Sequence, residues 1–117
     1  SIPRVAEALE RWGEKFVTRI LTPEEQVRYA HTRQKASHLA KRFAAKEAFT
    51  KALGTGIHAP ANWHGVWVVN LKSGKPQLEF SDDLKKLLER RDIRRSHLSL
   101  TDEKDIAAAT VILECGA

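Results

Sequence analysis

Arg42-Phe43-Ala44-Ala45-Lys46-Glu47-Ala48-Phe49-Thr50-Lys51-Ala52-Leu53-Gly54-Thr55-Gly56 is the stretch on which the fold turns. At 100° per residue, Leu39 and Phe43 begin an apolar sector, with Ala40 and Ala44 beside it. Glu47 and Lys51 fall in the Ala40/Ala44 sector, while Ala48, Phe49, Ala52 and Leu53 fill most of the remaining circumference. A helix that is apolar or small nearly all round is expected to be buried. Charges on a buried helix are costly unless they are paired or bind something. The helix is expected to open at Ser37 or earlier and to run to Leu53, with Gly54 closing it as a C′ glycine.

Working back toward the N-terminus, Thr22-Pro23-Glu24-Glu25 is a helix start: a Thr N-cap, Pro at the first position and an acid at the third. That helix is expected to end between Tyr29 and His31. Before it, Phe16, Val17, Ile20 and Leu21 continue an apolar face in a short segment. Pro3 fits the first turn of a helix carrying Val5, Ala6, Leu9 and Trp12, with Gly13 as its stop.

Toward the C-terminus the period changes. A β-rich run is expected from about Trp63 to Leu71, a turn at Ser73-Gly74-Lys75-Pro76, and a partner strand from Gln77 to Phe80. Asp82 to Arg91 reads as a helix with Leu84, Leu87 and Leu88 on one face. His97 to Thr101 and Ile106 to Glu114 read as two strands around an Asp102-Glu103-Lys104 turn. Residues 54–62 are a loop. The expectation is one α+β domain over residues 1–117, helices first and strands later.

The net charge of +5 is unevenly placed. Residues 1–51 hold eleven Lys and Arg against six Asp and Glu, whereas residues 52–117 hold nine of each. The whole excess is therefore N-terminal, and Arg28, Arg33, Lys35, Lys41, Arg42 and Lys46 follow one another with no acid among them. Such asymmetry points to an anionic partner: nucleic acid, a phosphorylated small molecule or an acidic protein. A solvated helix face is the plainer alternative. A nucleic-acid binder is disfavoured, since aromatics are only 7% of the chain and no base-reading motif is present. No apolar run approaches the roughly 20 residues of a membrane helix, and there is no signal-type h-region. One cysteine, Cys115, can form no internal disulfide and has no neighbouring His to activate it. His31, His38, His58 and His64 lack metal-ligand spacing and are expected to be surface or satisfied polar groups. Trp63 and Trp67 share strand parity with Val69 and are expected to pack a sheet face or an interface.

Chemistry concentrates at the end of the long helix. Glu47 offers a hard oxygen ligand suited to Mg²⁺, with water and phosphate oxygens filling the other positions. Lys51, one turn on, offers a point charge for a phosphate. Gly54-Thr55-Gly56 follows, where small residues let backbone N–H groups approach an anion. A Glu-to-Lys i,i+4 surface pair worth about 0.2–0.5 kcal/mol, followed by an ordinary glycine stop, fits the same residues equally well.

The run from Arg42 to Gly56 resembles the signature of holo-[acyl-carrier-protein] synthase, the short bacterial type of 4′-phosphopantetheinyl transferase. Lys15 to Thr22 resembles the segment after that family's first helix, Gly74-Lys75-Pro76 its hairpin, and His97 to Asp102 with Ala107 to Val111 its last two strands. The resemblance spans nearly the whole chain in order and spacing. It implies an antiparallel sheet wrapped on a long buried helix, and a cytoplasmic, Mg²⁺-dependent transferase. That enzyme would move phosphopantetheine from coenzyme A to a serine of acyl carrier protein, releasing adenosine 3′,5′-bisphosphate.

Residue by residue, the resemblance makes Glu47 a ligand of Mg²⁺ and Lys51 the holder of the pyrophosphate. It places Lys46, Gly54, Thr55 and Gly56 among the coenzyme A contacts. Arg42 and His97 would lie near its 3′-phosphate, and Gly74, Lys75 and Pro76 would line the adenine side. Arg4, Lys15 and Arg19, with Phe16 and Phe43, would dock the acidic carrier protein. The serine proton would pass to Glu47, directly or through a metal-bound water, or to such a water alone. Homotrimers with sites between protomers are also implied. The family's first strand, Gly-Ile-Gly-x-Asp, carries a second Mg²⁺ ligand and would end just before Ser1; upstream sequence is the expectation. A non-catalytic binding module lacking that aspartate is the alternative.

Overall fold

The helix α4, Lys35–Leu53, forms the axis of the protein. Leu39, Arg42, Lys46, Phe49 and Leu53, spaced by threes and fours, form one buried seam along it. The computed structural model describes residues 1–116. Gly54 ends α4 in the left-handed region at φ 86°, where a side chain would be strained, and its N–H returns to the Thr50 and Lys51 carbonyls. Arg91 Nη1 donates to the Leu53 carbonyl, placing a cation at the negative end of the helix.

Three shorter helices cover the N-terminal half of α4: α1 (Ile2–Trp12), α2 (Glu14–Ile20) and α3 (Pro23–Ala30). Val5, Val17, Ile20, Leu21 and Tyr29 pack there on Leu39 and Ala40. The expected capping box is present: Glu25 N–H donates to Thr22 Oγ1, and Thr22 N–H donates to Glu25 Oε1 at 3.0 Å.

Two antiparallel hairpins and one helix cover the other half. Strands β1 (Val66–Asn70) and β2 (Pro76–Phe80) pair from Val66 opposite Phe80 to Asn70 opposite Pro76. Helix α5 (Asp82–Arg90) follows, capped by Ser81. Strands β3 (Ile93–Glu103) and β4 (Ile106–Cys115) form the longer hairpin. Val66, Val68, Leu78, Leu84, Leu88 and Leu98 close a second core on Ala45, Phe49 and Leu53. The expected α+β architecture, strands wrapped on a long helix, is what forms.

Boundaries differ in two places. β1 begins at Val66 rather than near Trp63, because Gly65 N–H turns back to the Asn62 carbonyl and Ser81 N–H bonds the Gly65 carbonyl. Trp63 therefore leaves the sheet and stacks on Phe43, with ring centroids 4.9 Å apart. β3 begins four residues before His97. Its irregular pairing at Ile93/Arg95 leaves Arg94 and Arg95 exposed, a pattern that hid the strand. The turn after it falls at Lys104-Asp105, and Ile2 N–H donates to the Asp105 carbonyl, tying α1 to that end.

Candidate active site and docking groove

Lys46 and Glu47 are neighbours in sequence and have opposite surroundings. Lys46 is fully buried. Its ammonium donates to Glu25 Oε1 at 2.6 Å, to the Trp63 carbonyl at 2.7 Å and to the Ile20 carbonyl at 2.5 Å. Three donors thus meet three acceptors. Glu25 completes the cluster by accepting Val68 N–H on Oε2 at 2.9 Å. Burial lowers the Lys46 pKa, against which Glu25 works by charge and hydrogen bond. Lys46 has no donor left for a phosphate, which corrects its expected place among the coenzyme A contacts. It joins α2, α3, α4, β1 and the loop before β1. Glu25 thus serves both as the expected capping residue and as the counter-ion of Lys46, a role its local sequence does not signal. The seam spacing, which puts Lys46 between Arg42 and Phe49, was the signal that it points inward.

The burial expected for the Glu47/Lys51 face is also corrected: both side chains are exposed, with Ala44 and Ala48 half-buried beside them. Among the described residues they form no ion pair within 4.0 Å, so a surface pair does not account for them. Glu47 lines a cavity of about 380 Å³ with Arg4, Phe16, Phe43 and Ala107. Thr50, buried beneath, donates Oγ1 to the Glu47 carbonyl at 3.1 Å. Among the described residues no three His, Cys, Asp or Glu side chains gather as a metal site. Glu47 nonetheless fits a hard cation: it is an unpaired carboxylate facing open space, and Mg²⁺ accepts one or two carboxylates with water and phosphate oxygens completing its shell.

At the end of α4 the N–H groups of Gly54 and Thr55 donate to helix carbonyls, and Thr55 Oγ1 donates to the Gly56 carbonyl at 2.9 Å. Those two amides are not offered to an anion, and a helix C-terminus repels one. Of the cations near this end, Arg91 is engaged by the Leu53 carbonyl, whereas the Lys51 side chain is exposed.

Arg42 is buried, with Nη2 donating to Asn70 Oδ1 at 2.8 Å and Nε without a partner among the described residues. Burial lowers its pKa, Glu25 raises it and Arg28 lowers it. Gly74, at φ 90°, and Lys75 are exposed in the turn between β1 and β2, and Pro76 opens β2. His38 is neither surface nor satisfied, contrary to expectation. It is buried beside the Tyr29 ring with Nε2 unpartnered. Burial, then the positive charges of Arg42, Lys41, Arg28 and Lys35, lower its pKa to about 4.

Four of the five expected docking residues come together, and Arg4 lines the adjoining cavity at Glu47. Lys15, Phe16, Arg19 and Phe43 line a cavity of about 560 Å³ together with Trp12 and Trp63. Phe16 and Phe43 are shared with the cavity at Glu47, so groove and carboxylate adjoin. Trp12, expected on the apolar face of α1, is 58% exposed at this groove. Among the described residues no hydrogen bond or ion pair joins His97 to Arg42, with which it was expected at the 3′-phosphate. His97 sits on the outer face of β3, where Nε2 pairs with Glu114, while its neighbour Leu98 is buried toward α4. Asp102 accepts from Ser37 at 3.1 Å and Lys41 at 3.3 Å, at the opening turns of α4.

Comparison with known proteins gives a consistent result. A family model described as the 4′-phosphopantetheinyl transferase superfamily matches residues 1–111. The holo-[acyl-carrier-protein] synthase of Nitrosospira multiformis is 47% identical over 111 residues, which are 95% of this chain and 89% of that relative. The crystal structure of the synthase from Neisseria meningitidis superposes with a TM-score of 0.93 at 39% identity, covering 97% of this chain and 91% of that one. The Helicobacter pylori synthase, solved in complex with coenzyme A, gives 0.85 at 27% identity over 97% of this chain and 94% of its own.

Proposed function

Because the chain belongs to the 4′-phosphopantetheinyl transferase superfamily, with holo-[acyl-carrier-protein] synthases as its relatives, we propose that it transfers 4′-phosphopantetheine from coenzyme A to a serine hydroxyl of apo acyl carrier protein. The serine oxygen forms a bond to the phosphorus that bears the pantetheine arm. The bond from that phosphorus to the bridging oxygen breaks, and adenosine 3′,5′-bisphosphate leaves. The serine proton passes to a base at Glu47.

The observation that carries this reading is the pairing of an exposed, unpaired Glu47 and Lys51 with an adjoining aromatic groove edged by Lys15 and Arg19. Glu47 would hold Mg²⁺ through its carboxylate. Bound there, the ion supplies neutralisation of pyrophosphate oxygens and polarisation of the phosphorus under attack. Lys51 stabilises negative charge on the leaving phosphate. Arg42 takes the 3′-phosphate, and Gly74, Lys75 and Pro76 line the adenine. Thr55 and Gly56 stand nearest the pyrophosphate, which the Lys51 ammonium holds.

Carrier proteins of this kind are acidic, which gives the basic N-terminal half its role. Arg4, Lys15 and Arg19 steer the encounter, and Phe16 and Phe43 take the apolar contact. The site is completed across protomers of a homotrimer. That is supported by the outer face of β3 and β4, where Ile112, 55% exposed, lies opposite His97 and Ile106, 64% exposed, stands at the far end of the same face. His97 then approaches the 3′-phosphate bound to a neighbouring copy. Among the described residues no helix is long and apolar enough to cross a membrane. The proposed setting of the reaction is the cytoplasm, on carrier proteins of fatty acid synthesis.

The test is to incubate the protein with apo carrier protein, coenzyme A and Mg²⁺ and to weigh the carrier protein. A gain of one phosphopantetheine group is expected; no gain overturns the proposal.

A further inference from the structure

Asn70 ends β1 opposite Pro76, where the hairpin turn begins. Its side-chain amide is engaged at both ends. Oδ1 accepts from Arg42 Nη2 at 2.8 Å, and Nδ2 donates to the Gly74 carbonyl at 3.1 Å. A guanidinium can only donate and a carbonyl can only accept, so the partners themselves fix which way the amide faces. Few side chains meet both demands. A carboxylate would accept from Arg42 but stand against the Gly74 carbonyl, and an aliphatic group would do neither.

The two groups joined in this way differ in character. Arg42 is 4% exposed, and its Nε has no partner, so the group retains donor capacity that its burial leaves unanswered. The turn is the opposite case, since Ser73, Gly74 and Lys75 are exposed. Backbone bonds close it, from Leu71 N–H to the Lys75 carbonyl and from Gly74 N–H to the Leu71 carbonyl. Those bonds fix its shape but not its position relative to α4. The Asn70 amide provides a side-chain link from the turn to the Arg42 guanidinium.

We infer that Asn70 is a positioning residue for donor selectivity, holding the Arg42 guanidinium and the Gly74 turn in one fixed relation so that the 3′-phosphate and the adenine of one nucleotide are read together. The inference rests on the proposed placing of the 3′-phosphate at Arg42 and of the adenine at Gly74, Lys75 and Pro76. A planar guanidinium directs its donors only where its plane is fixed. Loss of the Asn70 contact frees that plane. The 3′-phosphate then loses more than the rest of the donor does.

The experiment compares adenosine 3′,5′-bisphosphate with adenosine 5′-monophosphate by calorimetry, and coenzyme A with 3′-dephospho-coenzyme A in turnover. Wild-type protein, Asn70→Ala and Asn70→Asp are used, each with its thermal midpoint. The wild type should prefer the 3′-phosphorylated ligand of each pair. In Asn70→Ala that preference should fall by about tenfold, the scale of one hydrogen bond to a charged group, with the loss in KM rather than kcat. Asn70→Asp keeps the Arg42 contact but neutralises its charge and repels the Gly74 carbonyl, so it should lose the preference as well. It also serves as the readout if Asn70→Ala does not fold.

Equal weakening toward both ligands of a pair would make Asn70 a mere brace of the hairpin and overturn the inference. So would an unchanged preference in the folded variants. If the wild type itself shows no preference for a 3′-phosphate, or if Arg42→Lys leaves that preference intact, it is the placing of the phosphate at Arg42 that fails.

Discussion

Lys46 and Glu47 differ by one position and about 100° on the same helix, and that rotation separates two kinds of charge. Lys46 lies on the seam with Phe49 and Leu53, has no exposure, and meets three acceptors. Glu47 lies on the alanine-lined face with Lys51 and meets no counter-ion among the described residues. Burying a charge is costly unless it is paired and hydrogen-bonded, and Lys46 meets that condition in full. An exposed charge carries no such cost and remains free for a ligand. The signature therefore places an internal strut and an exposed carboxylate, the proposed site, in adjacent residues.

The largest effect should come from breaking the strut. Lys46→Ala leaves the buried Glu25 carboxylate without its counter-ion and should cost about 3–5 kcal/mol in chemical denaturation. Replacing both partners, as Lys46→Met with Glu25→Gln, should recover part of that loss. If Lys46→Ala unfolds at the wild-type midpoint, the burial assigned to the pair is wrong. The mirror result is expected one residue on. Glu47→Gln should leave the denaturation midpoint in place and lower Mg²⁺-dependent transfer by roughly 10²–10³-fold, the range for loss of one electrostatic group at a reacting centre. Lys51→Ala should lower kcat more than it weakens carrier-protein binding. Near-normal turnover in Glu47→Gln would remove the site from this face.

A third test uses a buried group that is not answered. His38 is held neutral, with its pKa lowered to about 4 by burial and four nearby cations. The unfolded chain protonates this imidazole as pH falls through about 6.5, its ordinary value, while the folded chain does so only near the lowered one. The folded state therefore binds fewer protons between those values, and stability rises with pH there. Its contribution should be complete above the ordinary value and lost as pH falls toward about 4, a change on the order of 2–3 kcal/mol. His38→Gln should flatten that slope in denaturation curves taken across the window. An unchanged slope would assign the acid sensitivity to other groups.

How far this contrast could be read in advance depends on what each signal is made of. The Thr22-Pro23-Glu24-Glu25 cap, the Gly13 and Gly54 stops and the α5 face are local chemistry, and they stand where the sequence puts them. The start of β3 was hidden because Arg94 and Arg95 are exposed beside a bulge, which breaks strand alternation. Lys46 was misplaced because its partners are far along the chain: Glu25 lies 21 residues away and Trp63 lies 17. The same holds for Asn70, whose link to Arg42 spans 28 residues. A single sequence shows that a charge sits on a seam, but the counter-charge comes from another element. The open Glu47/Lys51 face was expected to be closed because alanine at Ala44, Ala48 and Ala52 suits a buried helix and an accessible cleft equally well.

The smallest effect belongs to charges that are exposed and only steer. Arg4, Lys15 and Arg19 lie on the surface around the groove. In the proposed function each would act on an acidic partner through water, so the attraction would work over distances comparable with the Debye length and be screened by salt. Arg4→Ala should slow association with the carrier protein by about threefold at low ionic strength, chiefly in kon, and should leave coenzyme A binding alone. The deficit should shrink as salt is raised toward about 1 M, where the Debye length is about 3 Å. Lys46 gives the control, because a pair with no exposure is shielded from the same ions and its stability contribution should move little with salt. A salt-independent loss in Arg4→Ala would mean that the guanidinium makes a close, desolvated contact in the complex, and the division between steering charges and answered charges would then need to be redrawn at the rim of the groove.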